Sequence, residues 1–266
     1  MKTAVTDSGI GGLFVVEKLL KRTRAGKILY LADNAHSPYG DLPEPVLRRI
    51  VKRNCEKLVA MGAEAIVLAC NTATAVCIDG LRADFPDTVF VGTEPAVKPA
   101  ARESDILTVM ATPLTLKQPR FRALLEKTGA KLNLPDCEAL AYLIEKHYPD
   151  LREAEEETER LLAAYPREKL GAVVLGCTHY ACLSKFIERR FSCKVFDGAG
   201  GVSATVMRRC APLDGDRSVV IEATDPSDLS RYLELASAIC KVPVYPADAP
   251  PVYEAVTKIG NHQIRF

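Results

Sequence analysis

Ala65-Ile-Val-Leu-Ala-Cys-Asn-Thr72 and Ala172-Val-Val-Leu-Gly-Cys-Thr-His179 are two versions of one unit. In each, an uncharged apolar run meets a small residue, then a cysteine, then polar side chains. A short run with no alternation is the pattern of a strand buried on both faces. Helical spacing follows each polar cluster, so each cysteine is expected where a strand ends and a helix begins. Open α/β sheets hold their ligands at that place. A unit that occurs twice predicts two similar halves facing each other across a cleft.

The rest of the chain fits the same scheme. Lys2–Thr6, Lys27–Leu31, Ala65–Ala69, Thr88–Val91, Ile106–Met110, Ala172–Leu175, Lys194–Phe196 and Ser218–Glu222 read as buried strands. Gly12–Lys21, Pro45–Met61, Leu116–Thr128 and Ser184–Arg190 carry helical spacing with charged outer faces. Such alternation predicts an α/β fold: two similar domains with mainly parallel sheets flanked by helices, and the active site in the interdomain cleft. The acidic run Glu153–Glu159 reads as the solvated face of a helix over Leu151–Tyr165.

Composition narrows the function. Lys plus Arg number 35 and Asp plus Glu 34, for a net charge of +1. That balance argues against nucleic acid as a partner, because displacing phosphate counterions needs a basic face. Nine cysteines cannot all pair within one chain, and no C-x-x-C occurs. A secreted disulfide framework and a zinc ribbon are both disfavoured, and a reducing cytoplasm is expected. Neither a signal sequence nor a membrane-length apolar run is evident, so no membrane association is expected.

Seven of the cysteines read as small packing residues. Cys70 and Cys177 differ, because polar groups and a helix start follow each. Free helix amides favour thiolate over thiol and are expected to lower both pKa values. Two such thiols, presented from opposite sides, meet the requirement for inverting a carbon centre without a cofactor. One removes the α-proton, and the other returns a proton from the far face. Acyl transfer by Cys177 and His179 is the competing reading, and it leaves Cys70 without a role.

Other polar clusters end strands. Asp7-Ser8-Gly9-Ile10-Gly11-Gly12 offers backbone N–H groups to a ligand, with Asp7 able to bind an ammonium, poise a thiol or cap the next helix. It is a poor dinucleotide fingerprint, since Phe14 stands at the third glycine position. Asp33-Asn34-Ala35-His36-Ser37-Pro38-Tyr39-Gly40 reads as a turn that can offer a hydroxyl and amides to a polar ligand. Thr112 and Thr115 follow a strand and suit either a carboxylate or a helix cap. His179 lacks the companions a metal site needs, so no metal is expected, and its imidazole reads as a proton partner to a thiol.

Asp7-Ser8-Gly9-Ile10-Gly11-Gly12-Leu13, Pro38-Tyr39-Gly40, Ala69-Cys70-Asn71-Thr72-Ala73 and Leu175-Gly176-Cys177-Thr178-His179-Tyr180 occur in this order. Together with Glu94-Pro95 and Thr224-Asp225-Pro226, they resemble the signature segments of bacterial glutamate racemases, in the cofactor-independent aspartate/glutamate racemase superfamily. The resemblance implies a discontinuous first domain, residues 1–93 and 207–266, and a second domain, residues 94–206. It implies Cys70 and Cys177 as the catalytic acid/bases, Asp7 supporting the first and His179 the second, with Glu145 on the second side. Asp7, Ser8, Pro38, Tyr39, Gly40, Asn71, Thr72, Thr112, Thr115, Thr178 and His179 would bind glutamate. A homodimer without cofactor, making D-glutamate for peptidoglycan, is the implied whole. Racemisation of another small α-acid such as aspartate, or a catalytically silent binding protein, are the alternatives. The chain departs from the pattern at His36, Gln118, Phe121 and Ala181, where the family usually has arginine, serine, tyrosine and proline.

Overall fold

The apolar runs pair edge to edge, always in parallel, and form two separate sheets. The computed structural model describes residues 2–23, 26–210 and 215–247. The end of the expected first domain, residues 248–266, lies outside the described residues. In chain order the strands are β1 (Lys2–Asp7), β2 (Lys27–Ala32), β3 (Ala63–Leu68), β4 (Val89–Gly92), β5 (Ile106–Met110), β6 (Lys131–Asn133), β7 (Ala172–Leu175), β8 (Val195–Asp197), β9 (Ser218–Ala223) and β10 (Val244–Pro246). The first sheet runs β10-β9-β2-β1-β3-β4 and the second β6-β5-β7-β8.

The duplication seen in two sequence segments extends to topology. β2-β1-β3-β4 and β6-β5-β7-β8 are the same order of four strands, each with its first-formed strand inside and a change of direction beside it. Cys70 follows β3 and Cys177 follows β7, so the two thiols occupy equivalent places next to equivalent switch points.

The helices are α1 (Gly12–Arg22), α2 (Glu44–Ala60), α3 (Asn71–Asp84), α4 (Val97–Ala101), α5 (Pro113–Lys117), α6 (Pro119–Glu126), α7 (Leu140–His147), α8 (Arg152–Ala163), α9 (Ser184–Phe191), α10 (Ala199–Arg209) and α11 (Leu229–Cys240). α1 buries Leu13, Val15, Val16, Leu19 and Leu20 along one stripe and ends in Lys21 and Arg22, which suit the negative end of its dipole. α8 buries Ala154, Thr158, Leu161 and Leu162 and turns most of the acidic run outward, as its charge suggested. The crossing expected near residue 206 lies within α10, which packs on α1 and β4.

One core joins both halves. Ile10, in the loop after β1, and Leu13, at the start of α1, share a buried cluster with Leu140, Ile144, Tyr180 and Leu183 from the second-sheet side. A second cluster lies under α2 and α3, and a third under α4 and α6. Among the described residues, no helix is long and apolar enough to cross a membrane.

Two local expectations are corrected, and two strands are added. The helix expected over Leu116–Thr128 is two helices, α5 and α6, because Pro119 has no N–H to continue the first and starts the second instead. After Cys177 the chain makes a 3-10 turn, His179–Leu183, before α9 begins, so the second thiol has no α-helix at its back. β6 and β10 carry little apolar signal, being sheet edges of three residues each.

Candidate active site

The carboxyl ends of the two sheets meet, and the loops there interlock. Thr178 Oγ1, after β7, donates to Asp7 Oδ2, at the end of β1, at 3.0 Å. Thr72 Oγ1, in the first turn of α3, lies 3.0 Å from the hydroxyls of both Thr112 and Thr115, which are 2.9 Å apart. Thr112 also caps α5 by accepting from the Thr115 N–H at 3.3 Å, so both readings of this threonine hold at once. A Cβ on Gly40 would stand 3.0 Å from that of Thr112. These contacts pair groups of one half with groups of the other.

The glycine loop after β1 has a second reason beside the one expected. A Cβ on Gly9 would run into the Glu145 carboxylate, and one on Gly11 would lie 2.5 Å from Thr178 Oγ1 and 2.9 Å from His179 Nδ1. These glycines let the second half's polar groups press against the loop. Asp7 does not cap α1, which starts without a side-chain cap. It lies buried, accepting from the Gly9 N–H at 3.2 Å and the Ser8 hydroxyl at 3.3 Å. Burial pushes the Asp7 carboxyl above the usual carboxylate range, against the pull of nearby His179 and of its hydrogen bonds.

Cys70 and Cys177 are both buried, at the ends of β3 and β7 beside this seam. Cys70 is the N-cap of α3, as expected, but its pKa moves the other way. Burial drives the thiol well above its ordinary value and the Asp7 charge adds to this, while the N–H groups of Ala73 and Thr72 offset only part. A helix start lowers a thiol pKa where solvent still reaches it; here desolvation wins.

The surroundings of Cys177 are ionic. His179 Nδ1 lies 3.7 Å from Cys177 Sγ, and His179 Nε2 lies 2.7 Å from Glu145 Oε2. An ionised carboxylate only accepts, so the Nε2 proton points to Glu145. Burial disfavours a charged ring, yet the thiol and the carboxylate together hold the His179 pKa well above its ordinary value. Glu145 moves down despite its own burial, through His179, the Tyr232 hydroxyl and the Ile10 N–H. Tyr232 Oη donates to Glu145 Oε1 at 2.5 Å and the Ile10 N–H to Oε2 at 2.9 Å. The remaining cysteines are free thiols, most of them buried.

The loop after β2 is organised by a residue that sequence reading passed over. Asp33 is fully buried and accepts from Tyr39 Oη at 2.6 Å, Asn54 Nδ2 at 2.9 Å and Thr224 Oγ1 at 2.7 Å, with His36 Nδ1 at 2.8 Å. Pro38, half-buried, leads into the 3-10 turn Tyr39–Asp41 that brings Gly40 to Thr112. Asn54 had a signal: it lies on the apolar stripe of α2 with Leu47, Val51 and Leu58. Asn71 Nδ2 donates to the Thr93 carbonyl at 3.3 Å, tying the first turn of α3 to the segment after β4. Gln118 reaches Glu44 of α2 at 3.3 Å, and Phe121 fills the third core cluster.

The geometry is therefore that of two thiols at equivalent strand ends, ringed by hydroxyls and amides. The description Asp/Glu/Hydantoin racemase fits residues 34–206. The chain belongs to this family. It is an isomerase of the amino-acid racemase class. A glutamate racemase of Clostridium botulinum (strain Alaska E43 / Type E3) is 35% identical over 213 residues, covering 76% of this chain and 81% of its own. The solved glutamate racemase from Aquifex pyrophilus superposes with a TM-score of 0.73 at 29% identity, over 94% of this chain and 99% of that one. A glutamate racemase isoform from Bacillus anthracis shares the fold at a TM-score of 0.78 and 22% identity, over 94% of this chain and 97% of that one.

Proposed function

We propose that this racemase interconverts L- and D-glutamate by proton transfer between Cys70 and Cys177. The observation that carries the reading is the placement of two buried cysteines at equivalent positions of a duplicated β-sheet topology. One thiolate removes the α-proton, leaving a carbanion whose charge passes into the α-carboxylate. The other thiol protonates the opposite face, so the two cysteines exchange protonation states over one turnover. His179, held by Glu145, is the proton partner within reach of Cys177 Sγ. Asp7 serves the Cys70 side, where burial raises its pKa above the usual carboxylate range.

The two carboxylates of glutamate would bind on the amides and hydroxyls of Ser8, Pro38–Gly40, Asn71, Thr72, Thr112, Thr115 and Thr178. Asp7 and His179 contact the substrate's polar head. Most of these groups lie within the closed seam, so entry requires the loops of the two sheets to part and catalysis requires them to close again, excluding water from the developing carbanion. The two sheets then act as two lobes of a homodimeric cytoplasmic enzyme that needs no cofactor and supplies D-glutamate to peptidoglycan.

The test is exchange of the α-proton in D2O, started from each enantiomer of glutamate and, side by side, of aspartate. Wild-type protein is expected to racemise glutamate without added cofactor. Cys70→Ser and Cys177→Ser should each lose about 10²–10⁴-fold. Full racemisation by either variant would sink the two-thiol mechanism, and faster turnover of aspartate would reassign the substrate.

A further inference from the structure

Glu145 belongs to α7, on the second-sheet side, yet two of its partners belong to the first. The Ile10 N–H comes from the loop after β1, and the Tyr232 hydroxyl from α11, which packs on β9 and β10. With His179 Nε2 and the Ile10 N–H on Oε2 and the Tyr232 hydroxyl on Oε1, the carboxylate has one orientation open to it. Tyr232 is itself fully buried, and its neighbour Arg231 donates to the Glu145 backbone carbonyl. A carboxylate so clamped aims its charge at one imidazole nitrogen, and the other nitrogen then faces Cys177 Sγ.

From this geometry we infer that Tyr232 is a positioning residue for the second thiol, acting through Glu145 and His179. The inference deepens the two-cysteine reading and rests on it. It gives α11 a function: the His179–Cys177 pair is fully oriented only while the loop after β1 and α11 are packed on α7. Closure of the two halves and preparation of one acid/base are thereby the same event. On the Cys70 side, Asp7 is held by the Gly9 N–H and the Ser8 and Thr178 hydroxyls.

Tyr232→Phe removes one oxygen and keeps the buried ring, and Tyr232→Leu serves as a second variant without the hydroxyl. Both are expected to lower kcat/KM about tenfold in each direction, as for a lost hydrogen bond to a charged group. The proton transfer at Cys177 then limits more of the turnover. The α-deuterium isotope effect should therefore rise for the enantiomer that Cys177 deprotonates and fall for the other. Histidine ¹⁵N NMR, with His179 assigned through His179→Gln, should show its titration midpoint falling by about one pH unit. Adding Glu145→Gln to Tyr232→Phe should cost little beyond Glu145→Gln alone. An unchanged or higher His179 midpoint, or isotope effects that move together, would overturn the role of Tyr232. Should wild-type protein fail to racemise glutamate, the substrate reading falls, and the His179 midpoint still decides whether Tyr232 sets that imidazole.

Discussion

Cys70 and Cys177 stand at equivalent points of equivalent sheets, yet their surroundings share almost nothing. Cys70 caps an α-helix, is buried beside a carboxyl and receives only partial help from backbone amides. Cys177 precedes a 3-10 turn and faces an imidazole whose pKa the thiol and a clamped carboxylate together hold up. A duplicated fold has placed two thiols alike and left each half to tune its own. The difference teaches that equal position does not fix equal chemistry: burial dominates one site and a charge relay the other.

The strongest way to break this comparison is to remove the relay. His179→Gln should lower kcat about 10²-fold, the scale of a lost acid/base partner, and raise KM as well, since His179 also contacts the substrate's polar head. The same variant tests the energetics. His179 has a raised pKa in the folded chain, so its stabilising effect is complete below the unfolded value of about 6.5 and is lost as pH rises through the raised value. The gap in Tm between wild type and variant should therefore be widest in mild acid and close as pH climbs. A gap that widens with pH would refute the ionic account of this side.

On the first side, Asp33→Asn offers a smaller effect of a different kind. An amide cannot accept at both positions, so two contacts, either His36 and Thr224 on one oxygen or Tyr39 and Asn54 on the other, are left facing a donor. The Tyr39–Gly40 turn should loosen and KM rise about tenfold, with kcat changing less. Equal losses in kcat would instead place Asp33 in the chemistry. The smallest expected shift is in stability. Burial raises the Asp7 pKa, so its ionised form costs the fold stability as pH rises above the unfolded value near 3.9. Asp7→Asn should thus raise Tm by about 2–4 °C at neutral pH while slowing racemisation. Calorimetry showing a lower Tm would mean that its hydrogen bonds outweigh its desolvation.

The sheets were legible because their strands are apolar and buried on both faces. Ile106–Met110 and Ala172–Leu175 coincide with β5 and β7 residue for residue. The edge strands β6 and β10 were not, since short solvent-facing segments such as Lys131–Asn133 carry no period to read. Within the site, residues beside a strand end, such as Asp7, Thr72 and Thr178, could be picked out by local pattern. Asp33 and Tyr232 could not, because their importance lies in partners far along the chain: Asp33 with Thr224, and Tyr232 with Glu145. The direction of the Cys70 pKa failed for a related reason. Helix capping is local and visible in sequence, whereas the depth at which a thiol is buried is a property of the assembled fold.

The missing side chains of Gly9 and Gly11 carry one more consequence. Where a methyl group would stand, the second half places the Glu145 carboxylate, the Thr178 hydroxyl and the His179 ring. The shut form of the enzyme is thus written into two hydrogen atoms. A single added carbon at either position would act as a doorstop, weighting the equilibrium toward the parted arrangement without touching either thiol.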